Sequence, residues 1–510
     1  MENHHREFRF SASSIMSFVW RGIVVGIVSG VVVSLFRLAI ETLFEEVVAL
    51  YHQAQTNPLL LVPISLVSLF VVWLISLLVK SDPDIKGSGI PHIEGELKGL
   101  LQTDWWSVLW KKFIAGSFAI SMGFMLGREG PSIQLGAMSA KGVAKFLKAS
   151  RMETRAFIAS GAAAGLSAAF NAPIAGLLFV VEEIYHHFSR MVWVTALVAS
   201  LVANFISLNI FGLTPVLSMN QELPFLSLGQ YWIFILLGMF LGVMGFGYEK
   251  VILNFHRFYD FFGKKYGVPS YAYGMIGIFF VIPIGYFYPQ LVGGGHRLII
   301  SLAQENLLLT TVCFYFIIRF IWSMISYSSG LPGGIFLPML TLGSLLGMAF
   351  GLILVEFQLI SLDVLPLFIV LGMAGYFGAI SKAPLTAMIL VTEMVGDLKQ
   401  LMAIGVVTLV AYIVMDLLKG EPIYEAMLAK MTIAHTTDIV EPTLIELVVS
   451  DKIARKKVRE LTLSKNILIT TQIHHQKSEL VDGDTVLHAG ATIFVVVNEK
   501  EMSRVKELLM

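Results

Sequence analysis

Three short strings limit what this chain can fold into: Gly87-Ser88-Gly89-Ile90-Pro91, Gly127-Arg128-Glu129-Gly130-Pro131 and Gly333-Gly334-Ile335-Phe336-Leu337-Pro338. Each sets bare glycines, then a proline, at the start of an apolar segment. Proline is tolerated in the first turn of a helix, where its missing N–H costs nothing. Each string therefore reads as a helix N-terminus beginning inside apolar surroundings. Helix N-termini carry unpaired N–H groups and a partial positive charge. Three of them converging on one point would bind an anion without any Lys or Arg. Broken helices at bilayer depth are tolerated where they line a cavity, and they mark transporter sites.

Composition places these strings in a membrane. The chain is 56% hydrophobic and 14% charged, with a mean hydropathy of +0.76, whereas soluble domains carry about 25% charged residues. Apolar runs over Gly22–Ile40, Leu59–Val79, Tyr231–Phe246, Met275–Phe287 and Val364–Ile380 approach spanning length. The reading is an all-α polytopic membrane protein. Lys+Arg and Asp+Glu are equal at 36 each, which argues against a nucleic-acid partner. The single cysteine, Cys313, excludes an intrachain disulfide and a cysteine-based metal site; it reads as a small core hydrophobe. The first residues show no cleavable signal pattern, and Arg6, Arg9 and Arg21 before the first long apolar run predict a cytoplasmic N-terminus.

The apolar body repeats itself. At an offset of 211, Gly161/Gly372, Ala163/Ala374, Ala168/Ala379, Ala172/Ala383, Pro173/Pro384, Val180/Val391 and Glu182/Glu393 are identical. At an offset of 207, so are Gly127/Gly334, Pro131/Pro338, Leu135/Leu342 and Gly136/Gly343. Two related halves meeting at a central site is a common transporter plan. Three parts follow: a polar head over 1–17, a membrane body over 18–430 with halves of about 18–215 and 225–430, and a polar tail over 431–510 in which 21 of 80 residues are charged. The tail reads as a small α/β module. Asp451–Leu461 has a short helical pattern, Ile467–Thr470 and Ala491–Val497 read as strands with the Asp482-Gly483-Asp484 turn between them, and Glu499–Leu509 again looks helical.

The three strings, with Gly161-Ala162-Ala163-Ala164-Gly165, Asn171-Ala172-Pro173 leading to Glu182-Glu183, and Pro422-Ile423-Tyr424, resemble the CLC family of chloride channels and chloride–proton antiporters over roughly residues 18–430. The resemblance implies tilted and re-entrant helices in two inverted halves, a homodimer with one pathway per subunit, and a prokaryotic plasma-membrane protein with both termini cytoplasmic. The tail, through the stretch Asp482–Val497, resembles the C-terminal half of RCK domains, the TrkA-C type, and so implies a cytoplasmic regulatory module.

Glu129 matches the family's gating glutamate. A carboxylate one residue before Gly130-Pro131 can occupy the anion site itself, since the N–H groups that bind chloride also bind its oxygens. Glu183 matches the inner proton-transfer glutamate of the antiporters. Ser88 and Tyr424 match the inner chloride ligands; a hydroxyl donates without fixing a countercharge. Backbone N–H groups of Gly130, Ile335, Phe336 and Leu337 complete the expected cage. In the family, serine in the first string accompanies chloride preference and proline accompanies nitrate. The plainer readings are an N-cap for Ser88, an interfacial aromatic for Tyr424 and a helix-end charge for Glu183. Glu182, with its repeat partner Glu393, reads as a packing or capping residue. Arg128 reads as a structural or mouth-steering charge, and His186 and His187 as solvated residues. No metal or cofactor is expected beyond bound chloride, although Arg455, Lys456, Lys457 and Arg459 offer phosphate partners for a nucleotide ligand of the tail.

The function these residues imply is exchange of chloride for protons across the membrane. The alternative is a passive voltage- or pH-gated chloride channel, which the acid at Glu183 disfavours. Neither His-Glu-x-x-His nor Gly-x-Ser-x-Gly occurs, so an intramembrane enzyme is not expected.

Overall fold

A computed structural model describes residues 12–185, 190–219, 223–305, 307–433, 442–450, 453–461, 463, 467–474 and 477–498. The chain divides into two compact units, Met1–Met431 and Thr432–Met510.

Among its described residues, the first unit is built of helices joined by loops. Among the described residues, nine helices are long and apolar enough to cross a membrane, in keeping with apolar runs near the roughly 20 residues a span needs. Phe336–Glu356, begun by the third glycine string, is one of the nine, whereas two other proline-started helices are much shorter. Ile90–Lys98 has nine residues and Pro173–Phe179 only seven, too short to span. The helices Glu129–Phe146 and Leu365–Ser381 are buried almost throughout, so they sit inside the bundle.

The internal repeat governs the packing. Glu129–Phe146 packs on Arg151–Phe170, and its counterpart Phe336–Glu356 packs on Leu365–Ser381. Both contacts are glycine-on-glycine. A methyl group on Gly136 would lie 2.2 Å from the Gly161 carbonyl oxygen, and one on Gly343 2.4 Å from that of Gly372. Small residues let helix backbones touch, the usual basis of helix association in membranes. The copies also end alike. Asn171 and Lys382 close the inner helices with the same left-handed backbone, φ +55° in each. A proline-started helix then follows each of them, Pro173–Phe179 and Pro384–Val395.

Cys313 is not a core residue. It is exposed on the helix Leu309–Ser328, whose buried side carries Arg319, Ser323 and Ser326, so an apolar stretch of sequence around Cys313 does not by itself mark a core position.

Among its described residues, the second unit holds a four-stranded antiparallel sheet of order β1-β4-β2-β3, with β1 Pro442–Val448, β2 Ile467–His474, β3 Lys477–Leu480 and β4 Thr492–Asn498. Ile493, Val495 and Val497 alternate into a core shared with Leu447, Val449, Ile453, Ile467, Ile469 and Leu487. A bulge between Ile469 and Thr471 shifts the register of β2. Past it Gln472 turns inward, bonding Glu479, the Val486 carbonyl and the His488 N–H. Among the described residues 453–461, the helix expected over Asp451–Leu461 does not form: the helical element there is a single 3₁₀ turn, Val458–Glu460. The N–H groups of Arg455, Val458 and Arg459 donate instead to the carbonyls of Leu487, Thr485 and Gly483, and Arg455 adopts a left-handed backbone, φ +65°. Pairing with a distant segment outcompetes local helix bonds. The expected helix Glu499–Leu509, like His186 and His187, lies outside the described residues.

Candidate functional site

The three glycine strings meet. Gly127 and Gly334 exchange both backbone hydrogen bonds, each N–H to the other's carbonyl at 2.7 Å. These residues are repeat equivalents at the offset of 207, and antiparallel pairing of equivalents is what a two-fold relation between the halves produces. The Gly333 N–H donates to the Gly87 carbonyl at 3.0 Å, tying the first string to the third. First and second touch at Gly130, where a methyl group would lie 2.2 Å from Ser88 Oγ and 2.7 Å from the Ser88 carbonyl oxygen. Only glycine permits that approach. The Gly87 and Ile85 carbonyls are further held by the buried Lys112 ammonium, at 2.6 and 2.9 Å.

Each string starts a helix. Gly89, with φ +89°, caps Ile90–Lys98, which has Pro91 in its first turn. Arg128 caps Glu129–Phe146, and Ile335 caps Phe336–Glu356. Glu129 is itself the first helical residue and is fully buried. Neither of its carboxylate oxygens has a hydrogen bond of normal geometry; the nearest donors are the N–H groups of Glu129 and Leu337. Ser88 Oγ and Tyr424 Oη are also buried without partners. An unpaired buried polar atom costs about 1–3 kcal/mol, so several gathered at one place are a functional signature. Tyr424 is fully buried at the start of Ile423–Ile433. Its ring meets Phe179 edge to face at 6.2 Å, and Phe179 meets Phe336 at 5.9 Å. The tyrosine is thus joined to the third string through aromatic contacts, and the charges that act on it include those of Glu183 and Glu129.

Arg128 points away from this centre, into an ion pair with Glu41 at 2.5 Å, and Glu41 also holds Arg37 at 3.0 Å.

Glu182 and Glu183 lie on a six-residue π-turn, Val180–Tyr185, a wide helical turn often found at functional sites. The turn sends the two acids to different places. Glu182 accepts from the Leu385 and Thr386 N–H groups, at 3.2 and 2.7 Å, and from Thr386 Oγ1 at 2.6 Å. Glu393 does the same for the other half, accepting from the Ile174 and Ala175 N–H groups at 3.2 and 2.8 Å. Each acid caps the proline-started helix of the opposite repeat. Glu183 is buried instead, and its turn packs on the helix Ile90–Lys98. The charges around it belong to Glu94, Glu182, Glu425 and Lys98. Glu94, Lys98 and Glu425 were missed in the sequence; the i,i+4 spacing of Glu94 and Lys98 on a helix of known start is the signal that could have found the first two.

A two-fold bundle whose broken helices start around one buried carboxylate and two buried hydroxyls is the core of a multi-pass membrane protein with an intramembrane site. The chain belongs to the CLC family: residues 67–416 match the family described as voltage gated chloride channel, and residues 443–510 match the TrkA-C domain. It is 34% identical over 433 residues to the H(+)/Cl(-) exchange transporter ClcA of Vibrio parahaemolyticus, covering 83% of this chain and 91% of that protein. Among solved structures it resembles a slow cyanobacterial Cl-/H+ antiporter, with a TM-score of 0.76 and 30% identity, covering 82% of this chain and 98% of that one. A CLC-type fluoride/proton antiporter shares the fold, with a TM-score of 0.65 at 20% identity.

Proposed function

We propose that this protein exchanges chloride for protons across a cell membrane. The observation that carries the proposal is the burial of the Glu129 carboxylate, without hydrogen bonds of normal geometry, where the three helix starts meet. A site made of helix ends and hydroxyls has no fixed countercharge, so its occupant is an anion. Chloride and the Glu129 carboxylate are the two candidates, and like charges at contact distance exclude each other. Protonated Glu129 gives up the site to chloride, and returning chloride favours the protonated form; the linkage acts in both directions. Ser88 Oγ and Tyr424 Oη donate to the chloride, with the N–H groups of Gly130, Ile335, Phe336 and Leu337. Glu183 passes protons between Glu129 and the cytoplasmic solution. The exchange activity named for the 34%-identical relative supports this reading over a passive channel.

The working form is a homodimer in the plasma membrane, with one pathway per subunit and both termini cytoplasmic. The TrkA-C tail regulates it by binding a ligand, for which we infer a nucleotide. Lys457 and Arg459 already pair with Asp484, at 3.0 and 2.7 Å, which leaves the exposed Arg455 and Lys456 as the phosphate partners.

The test is purified protein in liposomes with a chloride gradient and no proton gradient. An exchanger moves protons uphill as chloride runs down, and Glu183→Gln stops the protons while chloride still passes. Chloride flux without proton movement in the unmodified protein would make it a channel.

A further inference from the structure

Glu183 is buried, so a proton needs a route from water to reach it. Three charged side chains of graded exposure form a cluster on the helix Ile90–Lys98, on which the turn of Glu183 packs, and on Ile423–Ile433. Lys98 Nζ bridges Glu94 Oε1 at 2.7 Å and Glu425 Oε1 at 3.1 Å. The side chain of Glu425 is 52% exposed, that of Lys98 32% and that of Glu94 1%. The second oxygen of Glu94 is buried without a partner, and both Glu94 and Glu425 act electrostatically on Glu183. A solvent-facing acid, a bridging cation and a buried acid with a spare oxygen thus lead toward the buried Glu183. A purely structural ion pair would have no use for that spare oxygen, because breaking or half-satisfying a buried charge is costly.

We propose that Glu425 and Glu94, joined through Lys98, form the port by which protons travel between solvent and Glu183. This rests on the exchange reading above. In the inward direction a water-borne proton bonds to the Glu425 carboxylate and its pairing with Lys98 weakens. The proton passes to the Glu94 carboxylate, and from there to Glu183, leaving Glu425 and Glu94 ionised and paired with Lys98 again. No electron transfer or leaving group is involved, and every step runs in reverse for export. Lys98 keeps both acids ready to release what they accept. The bridge also spans the helix begun by the Ser88 string and the helix begun by Tyr424, so it braces the two elements that carry the inner hydroxyls. Nearby, Glu182 is engaged as the cap of Pro384–Val395, and Glu96, on the same helix as Glu94, pairs with Lys141.

The experiment measures chloride-driven proton uptake and chloride efflux together in liposomes holding the full-length chain, across a pH series. The variants are Glu425→Gln, Glu94→Gln, Lys98→Gln and Glu425→Asp, with Glu183→Gln as reference. Glu425→Gln and Glu94→Gln should lower proton uptake about tenfold or more, the scale of losing a placed proton-transfer group. Chloride efflux persists in the same vesicles and reports that the variants fold. Glu425→Asp keeps a carboxylate and restores uptake. Lys98→Gln should move the pH of half-maximal uptake upward, because loss of the cation that lowers Glu94 lets that acid hold its proton at higher pH. Unchanged uptake and pH profile in the three neutralising variants, while Glu183→Gln abolishes uptake, would overturn the port and leave the exchange reading intact. An unmodified chain that moves no protons would overturn both.

Discussion

At the scale of single residues, the centre depends on atoms that have no room to move. Gly130 sits against Ser88 so closely that a methyl group would lie 2.2 Å from the hydroxyl oxygen, so the hydroxyl and the start of the Glu129 helix form one surface. Ser88→Pro removes the side-chain donor of the first string. Relative flux should then shift from chloride toward nitrate by several-fold, measured as efflux of each anion from the same vesicles. An unchanged ratio would remove Ser88 from the anion's ligands. Much of this centre was legible beforehand, because glycine followed by proline at an apolar helix start has few physical meanings. What could not be read is the company Glu183 keeps. Lys98 and Glu425 lie 327 positions apart in the chain, and no local pattern announces a contact of that range. Cys313 failed for the opposite reason: in this membrane helix the polar residues Arg319, Ser323 and Ser326 are buried and apolar residues such as Ile317 and Ile321 are exposed, so apolar neighbours do not mark the core.

At the scale of elements, the two halves hold each other's helix ends. Glu182 caps Pro384–Val395 and Glu393 caps Pro173–Phe179. The identity of Glu182 and Glu393 at a fixed offset pointed to capping or packing. Sequence alone did not show that each acid caps the other half's helix. Replacing Glu182 or Glu393 by Ala should each lower stability by about 1–2 kcal/mol, the range for loss of a helix cap. Thermal unfolding of the purified protein reads this as a fall in Tm for each variant. The glutamine variants retain an acceptor and fall less. A Tm unchanged in both alanine variants would mean the caps are made at no net gain over solvent. The tail shows where local patterns mislead. Asp451–Leu461 has helical spacing, but its N–H groups find the carbonyls of Gly483, Thr485 and Leu487, and β1, at one edge of the sheet, is a strand beyond those expected from the sequence.

At the scale of the whole molecule, the chain joins a membrane body to a second unit, Thr432–Met510, of which residues 443–510 match the TrkA-C domain. The sheet has its own core of Leu447, Ile467, Ile469, Ile493, Val495 and Val497, and the glycine strings lie in the first unit. Deleting residues 436–510 should therefore leave chloride flux within about twofold while removing a response to an added nucleotide such as a cyclic dinucleotide. Flux lost with the tail, in protein that still purifies as folded, would show that the tail is needed for conduction itself. The central claim, that one buried carboxylate is where chloride and protons exclude each other, is tested most directly by Glu129→Gln. Chloride efflux and pH change are recorded together in liposomes from acid to neutral pH. The variant should pass chloride at a rate nearly independent of pH and move no protons. A variant that still drives protons against their gradient would contradict the mechanism and leave Glu129 as a helix-start charge.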